Sequence, residues 1–180
     1  MNALVWRLAL GLALGASVSG ALAAAHQEKP SVYAADGPID ITGFYLPAGN
    51  PLIIGRYKLD GIFIDSAQNF RLYEQERRHS RTRAPITVSF SEFVPAEGDK
   101  TDDAPYVLAR SFHVDNESID FDGYDPKLGR VTFRGKLDSA AVRAVAPDSP
   151  ESDGSVLKGD LTVGGKLYRG VEFYWFSGDV

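Results

Sequence analysis

A run of basic side chains between residues 71 and 83 is suited to binding an anion. It holds five arginines and one histidine against two glutamates, in a chain with 24 acidic and 19 basic residues. Guanidinium groups bind phosphate and carboxylate through paired hydrogen bonds. The run is therefore either a contact for an acidic partner or a solvated surface that pairs with the protein's own acids. The candidate contact residues are Arg77, Arg78, Arg81 and Arg83.

The acidic residues between 115 and 125 suggest a calcium loop, but their register does not fit one. Aligning Gly123 with the glycine of such a loop places Ser118 first and Gly129 last. Calcium requires a carboxylate at the first position and a bidentate glutamate at the last. The pattern therefore favours a turn between two strands, with aspartate at the bend.

His113 and Asp115 could form part of a hydrolase site, because residues two apart on a strand share one face. The sequence contains neither a Gly-x-Ser-x-Gly elbow nor a His-Glu-x-x-His zinc motif. The Ser-x-x-Lys string at Ser155–Lys158 lacks its companion motifs, and the chain has no cysteine. We therefore predict a binding protein that is not an enzyme and uses neither a metal nor another cofactor. A hydrolase that assembles His113 or paired carboxylates is the alternative.

Aromatic residues near the C-terminus form another candidate binding surface. Strand alternation directs Phe173 and Trp175 to one face and Tyr174 and Phe176 to the other. If only one face belongs to the core, Tyr174 is exposed and can bind a carbohydrate, a lipid or a protein. A strand buried on both faces is the alternative.

Alternating β-branched and aromatic residues predict strands over most of the chain. The clearest hairpin turns at Gly164-Gly165, because glycine adopts the positive φ values of a two-residue turn. About eight strands at intervals of about 8–12 residues predict an all-β fold, either an antiparallel sandwich or a barrel. One short helix is predicted near residues 67–78, where Phe70 and Tyr73 share a helical face, and a long charged hairpin arm is the alternative.

The first residues of the chain predict export. Arg7 precedes an apolar run from Leu8 to Ala23 that ends in small residues, the order of a secretory signal peptide. A membrane anchor is the alternative, but the run is shorter than the roughly 20 residues that span a bilayer. We expect a cleaved signal peptide at 1–23, a flexible lead-in at 24–38 and one β domain at 39–180.

The composition of the chain indicates its cellular location and the class of partner it contacts. The absence of cysteine in an exported protein favours the bacterial periplasm or exterior, since secreted eukaryotic domains more often carry disulfides. The net charge of −5 argues against a nucleic-acid partner. We expect the mature protein not to span the membrane and to contact another envelope protein, a lipid or a polymer.

The C-terminal third resembles a known family. Residues 159–165 read Gly-Asp-Leu-Thr-Val-Gly-Gly and are followed by Val171. This segment is similar to the Gly-x-Leu-Thr-x-x-Gly hairpin of the YceI-like, lipocalin-shaped periplasmic proteins, and residues 129–134 resemble the strand that precedes it there. The resemblance implies a β-barrel that carries a polyisoprenoid or similar lipid in an apolar interior. The family's N-terminal strand motif is not evident in this chain.

Overall fold

Ten strands and two short helices make up the described part of the chain. The structure is a computed structural model and describes residues 32–34, 40–76, 83–93, 104–145 and 151–178. The strands are β1 (Val32–Tyr33), β2 (Gly43–Pro47), β3 (Ile53–Ile54), β4 (Tyr57–Ile64), β5 (Ile86–Glu92), β6 (Tyr106–Val114), β7 (Ser118–Asp125), β8 (Gly129–Leu137), β9 (Glu151–Val163) and β10 (Lys166–Phe176). The helices are α1 (Ala67–Glu76) and α2 (Ser139–Arg143).

Eight of these strands, β2 and β4 to β10, form a closed antiparallel barrel. From β4 onward each strand pairs with the next along the chain, and β2 joins β4 to β10. The β2–β10 pairing aligns Tyr45 with Trp175 and closes the sheet. Closure leaves no long unpaired edge that could pair with another chain. The prediction of an all-β fold is confirmed. Of the two predicted architectures, a sandwich and a barrel, the structure shows the barrel.

Two sequence features of the strands have clear physical causes. The β9–β10 hairpin turns at Gly164 and Gly165, with φ values of 57° and 85°, as predicted. Within β4, the register shifts between Leu59 and Gly61, which marks a bulge. A Cβ atom at Gly61 would lie 2.8 Å from the Tyr45 carbonyl oxygen, so this position requires glycine.

Aromatic and aliphatic side chains fill the barrel interior. A side chain that lines a cavity wide enough for water keeps accessible surface even when the cavity is closed. Tyr45, Phe133 and Phe173 have 0% of their surface accessible to solvent, so other protein atoms enclose all three rings. Phe133 lies 5.8 Å from Phe121 and 5.6 Å from Phe173, measured between ring centroids. An eight-stranded barrel is narrow enough for side chains to fill, and this one is filled around these rings.

The helix α1 packs against the barrel through Phe70 and confirms the predicted short helix. Ser66 caps its start by accepting a hydrogen bond from the Asn69 N–H at 3.3 Å. The Phe70 ring is fully buried and lies 5.1 Å from Phe112 and 4.3 Å from Tyr33 of β1. The Tyr33 N–H also donates to Glu74 at 3.0 Å.

Two small elements were not predicted. The strand β1 lies inside the segment expected to be a flexible lead-in, and it pairs in parallel with β6. Tyr33 of this strand also stacks on Phe70, a contact between residues distant in sequence. The helix α2 is too short to show a helical period, yet Asp138 caps it by accepting from Ala141 N–H at 2.9 Å.

Candidate functional site

The outer face of β2, β4 and β10 carries a group of aromatic side chains. Strand register places Phe44 of β2 between Phe176 of β10 and Phe63 of β4, and pairs Tyr174 with Leu46. We call these five residues the outer aromatic surface. Because inward and outward positions alternate, all five lie on the face opposite to the core residues Tyr45 and Phe173.

The rings of this surface pack against one another yet remain in contact with solvent. Phe44 is 41% exposed, and its ring centroid lies 4.9 Å from Phe63 and 6.3 Å from Phe176. The interplanar angles are 45° and 42°, so the rings form a ridged surface. Tyr174 is half-buried beside them. Large apolar side chains that cluster on a surface mark interaction sites more often than isolated ones do.

The neighbouring residues of β10 follow the predicted alternation. Phe173 is completely buried. Trp175 packs against the core, its indole Nε1–H donates to the Thr42 carbonyl at 3.0 Å, and its backbone N–H donates to Ser152 Oγ at 2.9 Å. Tyr174 and Phe176 therefore lie on the outer face, and only one face of this strand belongs to the core.

The predicted basic contact falls mostly outside the described residues. Arg77, Arg78 and Arg81 lie outside them, and Arg83 is exposed just before β5. The first residues of β5 pair with the end of β4, where Thr87 lies opposite Phe63. Arg83 therefore precedes β5 at the end of the barrel that carries Phe63. The role of the four arginines stays a prediction.

His113 and Asp115 do interact, but their geometry differs from that of a hydrolase triad. His113 Nε2 lies 2.9 Å from Asp115 Oδ2, and Ser118 Oγ donates to Asp115 Oδ1 at 3.0 Å. The aspartate is thus the central group, whereas a triad places the histidine between serine and aspartate. His113 is also exposed on the barrel exterior. This arrangement orders the turn between β6 and β7.

Asp115 is expected to make the free energy of unfolding depend on pH. Burial alone would raise the pKa of its carboxyl group, but hydrogen bonds from Glu117 N–H, His113 and Ser118 lower that pKa below its usual 3.8. A carboxylate whose pKa is lowered by folding contributes stability above its unfolded pKa and loses it as the pH falls through the folded value. The wild type should therefore lose this contribution below about pH 4.

Replacing the carboxylate isolates this effect. We expect Asp115→Asn to lower the free energy of unfolding at pH 7 by about 1 kcal/mol and to flatten its decline between pH 4 and 2. Urea unfolding at several pH values measures both quantities. Asp153→Asn, at an exposed position of β9, is the control. Equal acid profiles for Asp115→Asn and the wild type would contradict the assignment.

The other polar motifs have structural roles. The acidic segment is β7 followed by a turn, in which Asp125 accepts from the N–H groups of Lys127 and Leu128 at 2.8 and 3.2 Å. The predicted turn between strands is therefore correct only at Asp125, and it is wrong for Asp120, Asp122 and Gly123, which lie within β7. Ser155 and Lys158 lie within β9, and Lys158 Nζ pairs with Glu172 at 2.6 Å. In the described ranges, no three His, Asp or Glu side chains group closely enough to hold a metal ion.

No protein-family model, curated protein or solved structure matches this chain. The resemblance to the YceI-like family stays a prediction. Neither of the two described helices has the length and apolar character needed to cross a bilayer.

Sequence analysis did not identify Phe44 and Phe63 as members of this surface. Phe44 and Tyr45 are adjacent in a short strand, so one ring had to face outward, but the pattern alone does not decide which. The pairing of Phe44 with Phe176 depends on barrel closure between β2 and β10, which are far apart in sequence.

Proposed function

We propose that this chain is an exported, non-catalytic binding protein of the bacterial envelope, and that its outer aromatic surface contacts a protein partner. The observation that carries the proposal is the exposed Phe44 ring, packed between Phe63 and Phe176 on the outside of a barrel whose interior is already filled. Aromatic side chains are enriched at protein interfaces, and burying one there contributes about 1.5–3 kcal/mol.

The tilt of the rings supports a protein partner over a carbohydrate. A sugar ring stacks on a flat aromatic face, and two or more coplanar rings extend such a platform. Here neighbouring rings are tilted by 42° and 45°, which leaves ridges and grooves between them. Side chains of a partner can interdigitate with such a surface as they do in a protein core.

The basic run between residues 71 and 83 supports a partner with acidic groups. Arg83 precedes β5, and the first residues of β5 lie beside Phe63. Charges at the rim of an interface accelerate association and select partners more than they add affinity. Arg77, Arg78 and Arg81 belong to the same predicted contact. Export is supported by the N-terminal sequence pattern.

Site-specific photocrosslinking tests the proposed surface. With p-benzoylphenylalanine in place of Phe44, we expect a covalent adduct to another envelope protein in intact cells. The same probe in place of Tyr124, which is 48% exposed on β7, should give at least about tenfold less adduct, since contact with the partner is local. Phe176→Ser should reduce the adduct formed from position 44.

Three results would contradict this proposal. They are the absence of an adduct at position 44, equal adducts from positions 44 and 124, and an adduct that consists only of two copies of this chain. Melting temperatures of all variants, followed by circular dichroism, separate loss of contact from loss of folding.

The packing around Phe133 and Phe173 favours this exterior site over the lipid-carrier alternative, because the space beside these rings is already occupied. For the hydrolase alternative, Asp115 lies between His113 and Ser118, so the serine hydroxyl donates to the carboxylate and does not contact the imidazole, unlike the serine of a Ser-His-Asp triad. Both alternatives stay predictions.

A further inference from the structure

An exposed tyrosine on β6 lies close to the outer aromatic surface. Tyr106 begins this strand and is 57% exposed, more than the 41% of Phe44. The geometry points to Tyr106 as a second anchor for the protein partner of the outer aromatic surface, and to a partner whose contacting face is apolar and uncharged at its centre. This inference rests on the proposed function and extends it, since it names a further contact and the chemistry of the partner.

Strand register continues the outer face from β4 to β6. Phe63 lies opposite Thr87 of β5, and Thr87 lies opposite Leu108 of β6. Two residues along the same pair of strands, Ser89 lies opposite Tyr106. These side chains face outward, because the residues between them on β5 and β6 are buried in the core. The outer aromatic surface therefore has an unbroken connection to Tyr106.

A hydrogen bond directs the Tyr106 side chain toward Phe63. Its hydroxyl donates to Thr87 Oγ1 at 3.1 Å, so the side chain leans from β6 over β5. Thr87 is only 5% exposed, which shows that its neighbours cover it. Because Cβ atoms of opposite residues are about 5 Å apart, the Tyr106 hydroxyl lies within about 10 Å of Phe63 Cβ. One partner can therefore contact both rings.

The orientation of Tyr106 suits an anchor residue. A surface tyrosine can direct its hydroxyl into water, but this hydroxyl is bonded to the protein while more than half of the residue stays exposed. A partner that covers the ring therefore does not leave the hydroxyl without a hydrogen bond. Tyrosine is enriched among residues that dominate binding energy, and a side chain held in place before binding loses less entropy on binding.

The outward positions around these rings are uncharged, which defines the centre of the partner's face. They form two rows across β10, β2, β4, β5 and β6, and none of these ten described positions carries a charge. The first row is Phe176, Phe44, Phe63, Thr87 and Leu108, and the second is Tyr174, Leu46, Gly61, Ser89 and Tyr106. Charged residues make up 24% of the whole chain, and their depletion marks the centre of a protein interface.

Charged residues at one side of the two rows pair with one another. Lys58 Nζ lies 3.3 Å from Asp60 Oδ1, and Lys158 Nζ lies 2.6 Å from Glu172 Oε1. A partner can thus cover the rows without burying an unpaired charge of this protein. A charge at the centre of the partner's face would itself be buried without a counter-charge, so that centre must be uncharged.

Photocrosslinking from a second position tests whether Tyr106 contacts the partner. With p-benzoylphenylalanine in place of Tyr106, we expect an adduct to the protein that position 44 captures, at least about tenfold more abundant than the adduct from position 124. Tyr106→Ser should reduce the adduct formed from position 44 about fivefold or more. Tyr106→Phe keeps the ring but loses the hydrogen bond to Thr87, so it should reduce that adduct less. Tyr124→Ser, which removes an exposed ring from β7, is the matched control and should leave it unchanged.

Charges introduced between the rings test the chemistry of the partner. Ser89 lies between Gly61 and Tyr106 in the second row. Ser89→Asp and Ser89→Lys should each reduce the adduct from position 44 about fivefold or more, because an uncharged face accommodates neither sign. If either charge leaves the adduct unchanged or increases it, the inference of an uncharged centre is overturned.

The crosslinking results distinguish this inference from the proposed function. An adduct at position 44 with none at position 106, a different protein captured at position 106, or no effect of Tyr106→Ser overturns the inference alone. Absence of a protein adduct at position 44, or adducts only to lipid or to a second copy of this chain, overturns both. Melting temperatures followed by circular dichroism verify that each variant is folded.

Discussion

Phe133→Ala is expected to lower the free energy of unfolding by about 3–5 kcal/mol. The ring has no exposed surface and packs between Phe121 and Phe173 in the barrel interior. It also covers Gly135 and Gly159, where added Cβ atoms would lie 2.5 and 2.7 Å from ring atoms. Truncation removes the favourable free energy of transferring the ring out of water. It also leaves a cavity, because the closed sheet cannot move inward to fill the space.

Urea unfolding followed by circular dichroism measures this loss. Tyr124→Ala on the neighbouring strand β7 removes an aromatic ring that is 48% exposed, and should cost less than about 1 kcal/mol. The Arg110 guanidinium lies 5.2 Å from the centre of that ring, so a small effect is expected there. A loss below about 1.5 kcal/mol for Phe133→Ala would mean that the interior is not packed as described.

Gly159→Ala is expected to destabilise the barrel by about 3 kcal/mol although it adds a single methyl group. The new Cβ atom would lie 2.3 Å from the Arg134 carbonyl oxygen, 2.5 Å from Gly135 Cα and 2.7 Å from the Phe133 ring. Two of these atoms belong to the backbone of the paired strand, so a rotamer change cannot relieve the contacts. The β8–β9 register would have to shift locally.

A second glycine of the same strand provides a matched control. At Gly154 a Cβ atom would meet nothing within 4 Å, and the position does not have a positive φ. Gly154→Ala should therefore be neutral or stabilising by up to about 1 kcal/mol, because alanine reduces the entropy of the unfolded chain. If both variants unfold at the same urea concentration, the close approach at Gly159 is incorrect.

Features that depend on neighbours in sequence were predictable. The Gly164-Gly165 turn and the helix containing Phe70 follow from local backbone preferences and a short apolar period. Alternation placed Tyr174 on the face opposite to Phe173, but it left open whether that face was exposed. None of these requires knowledge of a distant partner.

Features that depend on distant partners were not predictable. The strand β1 pairs with β6 and stacks Tyr33 on Phe70, and the outer aromatic surface forms because Phe44 lies between Phe176 and Phe63. A single sequence shows the faces of each strand but not the strands beside it.

The amino-acid sequence by itself determined an all-β chain, which side chains share a face of each strand and the position of the Gly164-Gly165 turn, because backbone preference and alternation are local properties. Only the tertiary structure decided that the sheet closes between β2 and β10, that aromatic rings fill its interior, and which apolar residues remain outside. These outcomes depend on contacts between residues as far apart as Tyr45 and Trp175, whose pairing is a property of the whole barrel.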